Sequence, residues 1–147
     1  MLNFSYGANM DRAAMRRRCA GAVALGPAIL HGYRFVITTD GYASLARASG
    51  EAAHGVLWRL TPRDLAALNV FESLDSGLYR RAVLPVRIGG KQKSALVYLG
   101  RERRGGRAGR GEGRPQPGYL HTILAAARDW DLPDDYIRGL ERWAPVS

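Results

Sequence analysis

The amino-acid sequence predicts an α+β domain built on a curled, largely antiparallel sheet, and two observations carry that reading. Segments of strand composition outnumber helical ones, and most of them are joined by hairpins or short turns. The 147 residues suit one domain, 1–147, with a single core, and no internal repeat divides them.

The elements follow in chain order. Residues 2–6 read as a short strand running into Gly7-Ala8-Asn9, after which Met10 to Cys19 has the composition of a helix. From Pro27 to Thr38 the residues Ile29, Tyr33, Phe35, Val36 and Ile37 predict a strand, bent or bulged at Gly32. Two shorter strands are expected at 42–46 and 54–60. Thr61-Pro62 then supplies a cap and a first-turn proline, and Leu65, Leu68 and Phe71 keep one face of the helix apolar until just past Glu72. Asp75-Ser76-Gly77 reads as a turn. Tyr79 to Ile88 and Lys91 to Leu99 form a hairpin closed around Gly89-Gly90. Beyond the stiff Pro115-Gln116-Pro117-Gly118, two helical stripes remain: Tyr119, Ile123, Ala126 and Trp130, then Tyr136, Leu140 and Trp143.

Composition narrows the function classes. Apolar residues make up 46% and charged residues 24%, ordinary for a globular protein, and no apolar run is long enough to span a bilayer. The first residues have neither a basic leader nor a cleavable apolar stretch, which predicts a cytoplasmic protein. Net charge is +9, a value compatible with nucleic-acid binding. Much of it sits in 101–114, where six arginines face Glu102 and Glu112 among five glycines. Without aromatic residues to stack on bases, that stretch reads as a flexible, solvated Arg/Gly-rich loop rather than a nucleic-acid site. The single cysteine, Cys19, is expected to pack; a reactive thiol activated by Arg16, Arg17 and Arg18 is the alternative.

Several catalytic layouts are missing. No serine is framed by glycines as in a nucleophile elbow, and no Gly-rich loop ends in Lys-Ser or Lys-Thr. His31, His54 and His121 lack metal-ligand spacing, so neither metal nor organic cofactor is expected. What remains is one turn, one carboxylate and several tyrosines. The turn Tyr6-Gly7-Ala8-Asn9 lets the backbone approach a ligand closely and leaves N–H groups unpaired at a helix start. Such junctions are frequent, and most bind nothing. Glu72, in Phe71-Glu72-Ser73-Leu74, is placed in the last turn of a helix. There the dipole opposes negative charge, and flanking Phe71 and Leu74 exclude water, both raising its pKa. On position alone an ordinary solvated glutamate is the default, and Asp75, in its turn, is the second candidate. Tyr79, Tyr98 and Tyr119 are core aromatics unless they gather at one site.

Taken together, Phe4-Ser5-Tyr6-Gly7-Ala8-Asn9-Met10, Gly32-Tyr33-Arg34-Phe35, His54-Gly55-Val56-Leu57-Trp58, and Glu72 followed by Gly77 and Tyr79 resemble the γ-glutamylcyclotransferase family, the AIG2-like superfamily. Val97-Tyr98-Leu99, the Pro115-x-Pro117-x-Tyr119 pattern and Gly139-Leu140-Glu141 extend the resemblance over nearly the whole chain. It implies a small mixed, largely antiparallel β-barrel flanked by helices, with a cavity beside the first turn. It also implies a small-molecule γ-glutamyl substrate, held by Asn3, Phe4, Ser5, Tyr6, Gly7, Ala8 and Asn9, largely through backbone, and by Tyr79 and Tyr119. Glu72 matches the general base that cyclises an L-γ-glutamyl amino acid to 5-oxoproline. A γ-glutamylamine substrate, or a ligand-binding member without turnover, is the alternative. The implied protein is a monomer or homodimer. Ala8 stands where the family usually carries serine, so a hydroxyl contact is lost and the backbone N–H kept. Asn9-Met10 replace the leucine and tryptophan of the glutathione-specific branch, which points away from free glutathione.

Overall fold

The chain enters its sheet at once. Strand β1 spans Leu2–Ser5, a 3₁₀ turn covers Ala8–Met10, and helix α1 is Arg12–Arg18. Then come β2 (Val23–Ile37), β3 (Ala43–Arg59), α2 (Pro62–Phe71), β4 (Tyr79–Ile88), β5 (Lys91–Gly100), α3 (Tyr119–Asp129) and α4 (Asp134–Glu141). This computed structural model describes residues 1–72, 79–100, 114–115 and 117–144. The Asp75-Ser76-Gly77 turn, Leu74 and the arginine-rich stretch up to residue 113 lie outside the described residues.

The strands close a barrel in the order β1-β3-β2-β4-β5. Every pairing is antiparallel except the last, where β1 lies parallel to β5 with Asn3 opposite Leu96. The expected curled antiparallel sheet is thus a mixed barrel with helices outside it. Phe4, Leu30, Val56, Leu57, Val86 and Val97 fill the interior, all nearly inaccessible to solvent. The β4–β5 hairpin closes through Gly89 (φ 55°) and Gly90 (φ 79°), left-handed values that glycine adopts without strain.

Three sequence expectations need correction. The strands expected at 42–46 and 54–60 are one continuous strand, β3: its two arms, 43–47 and 52–59, both pair with β2, and 48–51 joins them without a β2 partner, turning at Gly50 (φ 81°). Strand β2 begins at Val23 rather than Pro27. Its early residues pair with the end of β3 across a register shift at Gly26, and a second shift falls at the expected Gly32. The first helix starts at Arg12 rather than Met10, because the Asp11 side chain accepts from the Ala14 N–H at 2.8 Å and caps it.

Two features bring the later site together. Gly55 lies against the end of β1, where a Cβ would stand 2.3 Å from the Ser5 carbonyl oxygen; only glycine lets β1 lie so close. Helix α2 opens with a capping box, Thr61 Oγ1 accepting from Asp64 N and Asp64 Oδ2 from Thr61 N, with Pro62 in its first turn. Asp64 also accepts from the Gly21 N–H at 3.1 Å, so this end of α2 is tied to the segment after α1. Cys19 is buried there, and its thiol donates to the Asp64 carbonyl at 3.4 Å. Burial and the nearby Asp64 push the thiol up to about 11 against the pull of Arg18, which suits packing and not thiolate chemistry. Among the described residues, no helix is long and apolar enough to cross a membrane.

Candidate active site

A cavity of about 460 Å³ opens where β1 gives way to the 3₁₀ turn. Its wall includes the site residues the resemblance implies: Asn3 to Asn9 along β1 and the bend, Glu72 at the end of α2, Tyr79 on β4 and Tyr119 on α3. Tyr98 of β5 joins them, so the three tyrosines do gather at one site. Asp75 lies outside the described residues.

The bend is shaped by what it faces. Met10 N–H and Asp11 N–H bond to the Gly7 and Ala8 carbonyls, closing the 3₁₀ turn. The N–H groups of Ala8 and Asn9 precede the first of these bonds, so the turn supplies them no acceptor. A Cβ on Gly7 would lie 3.2 Å from the Ala43 Cβ and 3.5 Å from the Tyr119 hydroxyl, so the missing side chain is the space between bend and tyrosine. Below the bend, Asn3 donates to the Leu96 carbonyl at 3.2 Å and accepts from Ser5 Oγ at 2.7 Å, while the Tyr6 hydroxyl donates to the Tyr98 carbonyl. These side chains are satisfied by the barrel, which keeps the bend rigid.

Ala43, the first residue of β3, pins two tyrosines through one residue's backbone. Its carbonyl accepts from Tyr79 Oη at 2.7 Å, and its N–H donates to Tyr119 Oη at 3.1 Å. Tyr119 therefore uses an oxygen lone pair on the protein, and among the described residues its O–H hydrogen has no acceptor. Tyr42 packs edge-on against the Tyr119 ring at 5.7 Å. Burial pushes Tyr119 up to about 12 and raises Tyr6, Tyr79 and Tyr98 well above the usual tyrosine value, so all remain neutral donors near pH 7.

Glu72 caps the C-terminal end of α2, its N–H bonding to the Leu68 carbonyl at 2.8 Å, and its carboxyl enters the cavity. Oε1 accepts from Asn9 Nδ2 at 3.2 Å. Desolvation lifts its pKa from 4.5 to about 7 against the opposing charge of Arg18. Phe71, 45% exposed and lying under the Arg18 guanidinium at 3.6 Å from the ring centroid, is itself part of the cavity wall beside Glu72, and Leu74 lies outside the described residues.

Sequence reasoning missed Arg17, Arg18, Tyr42 and Asp11 as wall residues. Arg18 was considered only as a neighbour of Cys19. The signal that finds it is helical spacing: Asp11, Ala14 and Arg18 lie three and four residues apart, one face of α1 turned to the cavity. Among the described residues, no group of three or more His, Cys, Asp and Glu side chains is arranged to hold a metal ion.

One cavity thus brings together a half-buried carboxyl raised towards neutrality, four neutral tyrosines and the Gly7 bend. The chain belongs to the γ-glutamyl cyclotransferase, AIG2-like family, whose model matches residues 3–129. It is 24% identical over 157 residues to a mouse protein named γ-glutamylcyclotransferase, covering 98% of this chain and 79% of that one. A solved structure named γ-glutamyl cyclotransferase superposes with a TM-score of 0.88 at 22% identity, over 100% of this chain and 89% of the other. A glutathione-specific γ-glutamyl cyclotransferase from yeast shares the fold with a TM-score of 0.66 at 12% identity, over 97% and 94% of the two chains.

Proposed function

We propose that this protein cyclises an L-γ-glutamyl amino acid to 5-oxoproline and releases the free amino acid, with Glu72 as general base. The observation that carries the reading is the Glu72 carboxyl, raised to about 7, inside the same cavity as the Gly7 bend and Tyr119.

The chemistry asks little beyond this. The nucleophile is the substrate's own α-amine, which reaches its γ-carbonyl by closing a five-membered ring. Holding the chain bent supplies much of the acceleration, since well-oriented intramolecular reactions reach effective molarities of about 10⁵ M or more. The amine is protonated at neutral pH and inert until Glu72 takes a proton from it. The α-nitrogen then bonds to the γ-carbon, Glu72 returns the proton to the leaving nitrogen as the old C–N bond breaks, and the ring nitrogen loses its remaining surplus proton to the carboxylate so freed, which passes it to the released amine or to solvent. A base near 7 is matched to both transfers. The Ala8 and Asn9 N–H groups are the backbone donors for a substrate carboxylate or for the oxyanion. Tyr119 donates its free O–H and orients the substrate, and Tyr79 lines the cavity beside it.

Incubation with a panel of γ-glutamyl amino acids, γ-glutamylamines and glutathione, following 5-oxoproline, tests the proposal. Release from the amino-acid substrates is the expected result. Release confined to the amines would change the substrate, and none from any member would leave a binding protein.

A further inference from the structure

We propose that Arg18 is a positioning residue for the base, acting through Asn9 to fix the Glu72 carboxyl and favour its anionic form. The inference rests on the reading of Glu72 as general base and adds what makes that base usable.

Arg18 closes α1, and its half-buried guanidinium stacks on Phe71, the residue before Glu72. It forms no ion pair with a carboxylate among the described residues. Instead Arg18 Nη1 donates to Asn9 Oδ1, and Asn9 Nδ2 donates to Glu72 Oε1 at 3.2 Å. The direction of this chain is dictated by chemistry. A guanidinium has donors only, so it must take the oxygen end of the Asn9 amide. The NH₂ end then faces Glu72, and Asn9, only 7% exposed, has little room to turn over. An amide held in this way donates to the carboxylate and, among the described residues, to no other acceptor, which favours the anion.

The surroundings give the chain its importance. Glu72 shares the cavity with Tyr6 from the bend after β1, Tyr79 from β4, Tyr98 from β5 and Tyr119 from α3, with Arg17 and Arg18 contributed by α1 and Asp11 by its cap. The tyrosines are neutral and remove water, opposing ionisation. Asp11 is occupied with capping α1, and Arg17 is exposed to solvent, where screening weakens its field. Arg18 is therefore the half-buried cation coupled to the base by a continuous hydrogen-bonded path. Without it, desolvation loses the charge that opposes it.

The test is a ¹³C carboxyl NMR titration of Glu72 in the full chain, native against Arg18→Met, with Arg18→Gln as a second neutral variant should the first fold poorly. The expected result is a midpoint raised by about one pH unit in either variant, returned towards the native value by Arg18→Lys. The acid limb of kcat/KM for 5-oxoproline release moves in parallel. Asn9→Leu removes the bridge, and in that background Arg18→Met shifts the midpoint by clearly less than in the native chain. A midpoint unmoved in folded Arg18→Met or Arg18→Gln overturns the inference, as does an undiminished shift in the Asn9→Leu background. The titration needs no turnover, so its answer stands even if no γ-glutamyl compound is cyclised, a failure that would count against the proposed function alone.

Discussion

Replacing Glu72 by Gln is expected to stabilise the protein increasingly from pH 4.5 to about 7 and above, and to leave its stability unchanged below pH 4.5. Gln is nearly isosteric and keeps the oxygen that accepts from Asn9 at 3.2 Å, but it cannot ionise. Below pH 4.5 the glutamate is protonated in both folded and unfolded chains, and the two proteins differ little. Between 4.5 and about 7 the unfolded chain loses its proton while the folded one retains it, so stability falls as pH rises through this window. Above about 7 the loss is complete. At about 1.4 kcal/mol per pH unit, the gap corresponds to about 3 kcal/mol that the native protein forfeits and the Gln variant does not. Urea unfolding of both proteins at a series of pH values from about 4.5 to 8 measures the difference directly. A gap between them that stays constant across the series would refute the reasoning, because a solvated glutamate imposes no such slope.

Three further outcomes follow from the same geometry. Tyr119→Phe removes the free O–H and the acceptor of the Ala43 N–H, and steady-state kinetics should show KM raised about five- to tenfold with kcat little changed. A large fall in kcat alone would instead give Tyr119 a part in the proton transfers. Gly7→Ala pushes a methyl group to 3.2 Å from Ala43 and 3.5 Å from the Tyr119 hydroxyl, and kcat/KM is expected to drop by about tenfold while the urea midpoint moves little. Gly55→Ala meets backbone, not an open cavity, 2.3 Å from the Ser5 carbonyl, so it should destabilise the fold by about 1–3 kcal/mol in urea unfolding.

The parts of this molecule that were legible in the amino-acid sequence are those decided locally. The Gly89-Gly90 hairpin, the Thr61-Pro62 start of α2 and the apolar stripes of α3 and α4 each carry their own chemical signal within a few residues. Strand β3 does not. Its middle, Ala46-Arg47-Ala48-Ser49-Gly50-Glu51, has little strand character, and the two arms on either side are joined into one strand because both pair with β2, a long-range decision. Closure of the barrel rests on the parallel contact of Asn3 with Leu96, which no local pattern announces. Neither the bend nor Glu72 is distinctive by itself, since strand-Gly-helix junctions and glutamates at helix ends are common; the order and spacing of the motifs that resemble the family single them out. Arg18 escaped because an arginine in a run of three reads as surface charge until the helix that carries it is placed against Asn9.

The account turns on Glu72 as the base of an intramolecular cyclisation, and the most direct measurement is 5-oxoproline release from a γ-glutamyl amino acid at neutral pH by the native protein and by Glu72→Gln. The account predicts release by the native chain and a loss of about a hundredfold or more in the variant, with its circular dichroism unchanged. Release by Glu72→Gln at the native rate would contradict it.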